Sequence, residues 1–135
     1  MADWQSILPQ ITTLTFDCYG TLIDWQAGLQ CSLGMLFEID DRRRLRTLFE
    51  RYVATEMDVE AESYRPYREV LAETARRVAE SFGLDLSPQR AARLAEMLPT
   101  WPAFPDTAEA LARLGTRYRL GVLSNVDRDL FADTA

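Results

Sequence analysis

Two short β-branched and apolar runs, Ile11-Thr12-Thr13-Leu14-Thr15-Phe16 and Tyr118-Arg119-Leu120-Gly121-Val122-Leu123, read as buried strands. Roughly a hundred residues separate them, far more than an ordinary connection holds. A tight hairpin is therefore excluded. Parallel neighbours joined by a crossover need only about a dozen connecting residues, usually a helix. The economical solution is a βαβ unit carrying a large insertion. The helix Thr107-Ala108-Glu109-Ala110-Leu111-Ala112-Arg113-Leu114, stopped by Gly115, supplies the crossover. Residues 24–101 then form a helical subdomain, and residues 1–23 and 102–135 form an α/β core.

The insertion carries its own helix signals. Leu45, Leu48, Phe49, Tyr52 and Val53 recur at three- and four-residue spacing, as one helix face requires. Pro66 opens a second long helix with Val70, Leu71, Thr74, Ala75 and Val78 on one stripe, ending at Phe82-Gly83. Ser87-Pro88 starts a third, with Leu94, Met97 and Leu98 as its apolar positions. The two-proline stretch Thr100-Trp101-Pro102-Ala103-Phe104-Pro105-Asp106 marks the return to the core. Asp106 is expected to cap the crossover helix, with Glu109 completing a capping box. Arg42-Arg43-Arg44 reads as a solvated helix start. A final helix follows Asp127.

Composition excludes several classes of function. The net charge of −6 argues against a nucleic-acid partner, whose phosphates demand a basic face. The basic residues are all arginine; the chain has no lysine and no histidine. Imidazole and amine chemistry are therefore absent from its repertoire, leaving carboxylate, thiol and phenol. Cys18 and Cys31 make no disulfide framework and no CxxC pair, so both are expected as free buried thiols. The carboxylate beside Cys18 works against a reactive thiolate. No apolar stretch approaches the ~20 residues of a membrane span. The N-terminus lacks the basic and apolar regions of a secretory signal, and a cytoplasmic location is expected.

In an open parallel sheet, chemistry gathers at the carboxyl ends of the strands. Asp17 ends the first strand, followed by the turn Cys18-Tyr19-Gly20-Thr21; Ser124 and Asn125 end the second. If the strands are neighbours, a carboxylate nucleophile and a hydroxyl and amide donor meet at one edge. The insertion leaves from that edge and is expected to act as a lid.

Phe16-Asp17-Cys18-Tyr19-Gly20-Thr21-Leu22-Ile23-Asp24 resembles the first motif of the haloacid dehalogenase (HAD) superfamily, and Leu123-Ser124-Asn125 resembles its second. The resemblance covers essentially the whole chain, because the insertion matches the family's cap in position and size. It implies a HAD-like, Rossmannoid parallel-sheet core, incomplete here, with an inserted helical cap. Asp17 would be the nucleophile, Thr21 would orient it, and Ser124 with Asn125 would hold the anionic part of the substrate. Tyr19 stands where the family's phosphatases carry the acid that protonates the leaving group. A phenol of pKa about 10 replaces that acid poorly, whereas halide leaves without a proton. The D-x-Y-G-T form is thus similar to the 2-haloacid dehalogenase branch, which needs no metal or other cofactor. Trp25 is expected to wall the pocket. Rough alignment brings Phe49-Glu50-Arg51 to the position of that branch's halide-gripping arginine, so Arg51 takes that role only if the helix turns it inward.

The family's third motif is a lysine that this chain does not contain. The resemblance therefore implies the N-terminal part of such a protein, with exposed strand edges that favour self-association into a homo-oligomer. The expected partner is a small anionic substrate. Two alternatives stay open: a Mg²⁺-dependent phosphatase of the same superfamily, and a catalytically inactive fragment or interaction module.

Overall fold

The structure, a computed structural model, describes residues 4–134. In chain order the helices and strands are α1 (Trp4–Ile7), β1 (Thr13–Phe16), α2 (Trp25–Phe37), α3 (Arg42–Glu62), α4 (Tyr67–Ser81), α5 (Pro88–Met97), α6 (Thr107–Gly115), β2 (Arg119–Val122) and α7 (Arg128–Thr134). Single 3₁₀ turns follow α1 (Leu8–Gln10) and α5 (Leu98–Thr100). The chain divides into two compact units, Met1–Asp24 with Pro102–Ser124, and Trp25–Trp101 with Asn125–Ala135.

The first unit is built on a parallel pair. Thr13 stands opposite Arg119 and Phe16 opposite Val122, so the chain does run strand, insertion, crossover helix, parallel strand. The strands are shorter than the apolar runs and are not buried. Leu14 and Phe16 are half-buried, Thr13 and Thr15 exposed, and Leu120 and Val122 lie 37% and 40% exposed. A parallel strand is buried when helices cover both faces of its sheet. Here α6 is the helix packed on β2, which leaves much of the pair open. Asp106 does precede α6, but its side chain caps nothing. Its backbone is already helical there, which removes the extended geometry that a capping box needs. The Thr107 hydroxyl instead donates to Leu22 O at 2.8 Å.

The second unit is a helical bundle whose core follows the periodic stripes. Leu48, Tyr52 and Val59 of α3 are buried, as are Val70, Leu71, Thr74, Ala75, Val78 and Ala79 of α4. Leu29 and Leu33 of α2 and Leu94 of α5 complete it. The ends of the elements have identifiable causes. Asp41 caps α3 by accepting from Arg44 N at 2.8 Å, and Arg42–Arg44 are solvated. Ser87 caps α5 from Arg90 N at 3.2 Å. Gly83, at φ +65°, closes α4 while Leu84 N reaches back to Ala79 O at 2.9 Å, a left-handed cap that glycine adopts without strain. Arg77 bridges Glu62 of α3 and Glu73 of α4, and with Arg76 it holds the Glu73 carboxyl down at about 2.

Two sequence readings are corrected here. Cys18 is buried, but Cys31 is exposed, because α2 turns Ser32 and Leu33 inward. The segment after β2, grouped with the core by the sequence, packs with the helical unit instead. Leu130 of α7 is buried, and α7 packs on the Leu98–Thr100 turn.

Close packing joins α2 and the returning chain. Trp101 is buried, its indole N–H donates to the Ser32 hydroxyl at 3.0 Å, and its ring lies against Gly28. A Cβ at Gly28 would stand 2.2 Å from Trp101 Cγ, a separation no pair of carbons tolerates. Gly28→Ala gains helix propensity yet forces the indole aside. We expect a net loss of about 2 kcal/mol in urea-unfolding free energy. A variant as stable as the parent would show that the indole has room to move.

Candidate functional site

The turn after β1 is a closed structure built by backbone hydrogen bonds. The carbonyl of Cys18 accepts from Thr21 N, Leu22 N and Ile23 N at 3.2, 2.7 and 3.0 Å. Gly20, at φ +99°, donates its N–H to Ile23 O at 2.8 Å. Only glycine takes that conformation without cost, so D-x-Y-G-T is the local code for this loop. The loop brings the Thr21 hydroxyl back onto Asp17, where it donates to Oδ2 at 3.1 Å. Asp17 itself is exposed. Tyr19 is half-buried. The Cys18 thiol is pushed up by its burial and by the neighbouring Asp17 carboxylate, so it is held as an inert thiol.

The strand ladder runs on past β2. Leu123 N donates to Phe16 O at 2.8 Å, which puts Leu123 level with the end of β1 and Ser124 one residue beyond. Ser124 and Asp17 therefore leave the carboxyl ends of adjacent strands, whose spacing is about 4.8 Å. The same unit ties the two ends of the insertion together. Asp24 N donates to Pro102 O at 2.8 Å, Phe104 N to Leu22 O at 3.0 Å, and Ile23 pairs antiparallel with Ala103.

The electrostatics of this unit carry one clear asymmetry. Its arginines are Arg113, Arg117 and Arg119. They sit at the end of α6, in the following loop and at the first residue of β2. Arg119 faces Thr13, about 10 Å of strand away from the Asp17 end. Arg117 lies 5.1 Å over the Tyr118 ring. Among the described residues of this unit, no arginine lies at the Asp17 end of the strands.

The remaining sequence-derived residues belong to the helical unit. Trp25 opens α2, is half-buried, and packs on Phe49 with ring centroids 5.9 Å apart. Arg51 is exposed. It follows Phe49 by two residues, about 200° around α3, so it points away from the side that meets Trp25. Glu50 pairs with Arg46 at 3.1 Å. Asn125 is exposed.

A polar cluster in the helical unit escaped the sequence reading. Tyr67 donates its hydroxyl to Glu56 at 3.1 Å, and its backbone N–H to Asp127 at 2.9 Å. Arg68 N donates to the second Asp127 oxygen at 3.0 Å, and the Arg68 guanidinium pairs with Asp129, lowering that carboxyl. Burial pushes the Glu56 carboxyl up to about 7; the bond from Tyr67 works against that shift and the charge of Glu60 adds to it. Partners some sixty positions apart leave no spacing signal in a sequence.

No family model matches the sequence, and no curated protein matches it significantly. Solved structures do match. The L-2-haloacid dehalogenase of Xanthobacter autotrophicus superposes with TM-score 0.74 at 22% identity, over 92% of this chain and 50% of that one. A defluorinating L-2-haloacid dehalogenase gives TM-score 0.78 at 19% identity, over 93% and 55%. A magnesium-bound Bacillus subtilis chain assigned only to the HAD hydrolases gives 0.75 at 17%, over 92% and 58%. This chain thus has the HAD fold, as an incomplete parallel-sheet core with an inserted helical subdomain. It spans about half the length of the structures it matches.

Among the described residues no group of three or more His, Cys, Asp or Glu side chains gathers as a metal site would require. The residue two places after Asp17 is Tyr19. No helix among those described is long and apolar enough to cross a membrane.

Proposed function

We propose that this chain carries the nucleophile half of a 2-haloacid dehalogenase site. The observation that carries the reading is the Thr21–Asp17 hydrogen bond inside the D-x-Y-G-T loop, at the strand end beside Ser124. One Asp17 oxygen attacks the α-carbon of a 2-halo carboxylate, and the halide departs with the carbon–halogen electron pair. Water then adds to the resulting ester at the Asp17 carbonyl carbon. The 2-hydroxy acid leaves, a proton goes to solvent, and Asp17 returns as a carboxylate. Thr21 aims the attacking carboxylate. Ser124 donates to the substrate carboxylate, with Asn125 next to it in the chain. Arg51, turned away from Trp25, is not assigned the halide.

Tyr19 favours this over phosphoryl transfer, because halide needs no acid to leave and an alkoxide does. The matching experiment is a pair of assays: chloride release from 2-chloropropionate in the presence of a chelator, and phosphate release from p-nitrophenyl phosphate with Mg²⁺. We expect chloride without metal and no phosphate. Metal-dependent phosphate release with no chloride would overturn the reading in favour of the phosphatase. Silence in both assays would leave a HAD-like fragment without activity of its own.

A further inference from the structure

The segment that follows the second-strand donors is not held by the sheet. Division between the two units falls between Ser124 and Asn125, and everything after it packs with the helical unit. Asp127 makes the part of that attachment nearest the donors, and buried Leu130 of α7 makes the rest. The two Asp127 carboxylate oxygens accept from Tyr67 N and Arg68 N at 2.9 and 3.0 Å. These are the first two amides of α4, a helix whose own N-cap residue is Pro66 and has no side chain to cap it. The helix thus takes its cap from a residue 60 positions later in the chain. Arg68 reinforces the join, with its Nε 3.5 Å from Asp127 and its other end on Asp129. Asp127 also serves its own helix, since its backbone carbonyl accepts from Phe131 N at 3.0 Å. Only Val126 lies between Asp127 and Asn125.

We propose that Asp127 is a positioning residue for the Ser124-Asn125 turn: by capping α4 it pins the chain two residues beyond the substrate-holding donors. A carboxylate suits this task. It accepts two amides at once, the positive end of a 15-residue helix favours its charge, and both bonds are charge-assisted. A chain fixed at Asp127 leaves Asn125 little freedom, whereas a chain released there can swing from the exposed Leu123 onward.

This inference rests on the proposed function for its catalytic consequence, but its physical content is testable without activity. The experiment is amide hydrogen exchange on the whole chain, residue by residue, in the parent and in Asp127→Ala, Asp127→Asn and Asp129→Asn. Asp127→Asn keeps one acceptor oxygen and guards against a variant that fails to fold. We expect Asp127→Ala to speed exchange at least tenfold at Tyr67 and Arg68 and also at Leu123, whose N–H bond to Phe16 O is the last protected amide before the turn. Asp127→Asn should fall between, and Asp129→Asn should leave Leu123 unchanged. Faster exchange confined to Tyr67 and Arg68 would overturn the proposal, because Asp127 would then be a cap for α4 and nothing more. If the parent releases halide, Asp127→Asn should raise KM severalfold and change kcat little. An unchanged KM would also overturn it. A parent with no halide release refutes the proposed activity and leaves the exchange result to decide the positioning role.

Discussion

Asp17→Asn is expected to abolish halide release, by at least about 10³-fold, while leaving the protein folded. The amide is isosteric with the carboxylate and keeps an oxygen to accept from the Thr21 hydroxyl, now at 3.1 Å. Asp17 is exposed, so no buried charge is created or removed. Under the proposed function the variant loses the nucleophile, since an amide oxygen attacks carbon far more weakly than a carboxylate. The measurement is chloride production from 2-chloropropionate beside a urea-unfolding curve. Lost turnover with an unchanged curve assigns the chemistry to Asp17. Retained turnover removes Asp17 from the reaction and the proposed function with it.

Glu56→Gln is expected to stabilise the protein at pH 8 by up to about 3 kcal/mol and to have little effect below pH 4.5. Burial between α3 and α4 raises the Glu56 carboxyl from 4.5 to about 7. The sign follows directly. Between those two values the folded chain holds a proton that the unfolded chain has released. Stability is therefore complete below about 4.5, falls as pH climbs toward 7, and stays low above it. Glutamine keeps the acceptor that Tyr67 uses and never ionises, so the penalty disappears. The groups facing Glu56 are Tyr52, Tyr67 and Glu60; none is a cation that could repay the charge. Urea unfolding of parent and variant at pH 4.5, 6 and 8 decides the matter. Parallel stabilities at all three would mean that Glu56 is as well solvated as a surface carboxylate.

The parts legible in the sequence were those encoded locally. The stripe Val70-Leu71-Thr74-Ala75-Val78 reads as a buried face at 3.6-residue periodicity and is one. Ser87 before Pro88 reads as a helix start, and Gly83 as its predecessor's end, because capping is settled within four or five residues. The D-x-Y-G-T loop is legible for the same reason: Gly20 alone permits the turn, and Thr21 lies four residues from the carboxylate it bonds. Errors arose where a residue's surroundings come from elsewhere. The runs 11–16 and 118–123 are apolar enough for a buried sheet, yet burial depends on how much of each face a helix covers. Asp106 has the right type and spacing for a capping box, but the chain arriving from Phe104 is already helical at that point.

Sequence alone determined the helices, the D-x-Y-G-T loop, the crossover and the place of the insertion, because each is written in contacts a few residues apart. Tertiary structure alone decided that Leu123 N continues the ladder onto Phe16, that Arg51 turns away from Trp25, that Glu56 is buried without a cation, and that Asp127 caps α4 from 60 residues away. The physical reason is common to all four. A side chain's charge, aim and burial are set by neighbours in space, and those neighbours are chosen only when the apolar faces close on one another.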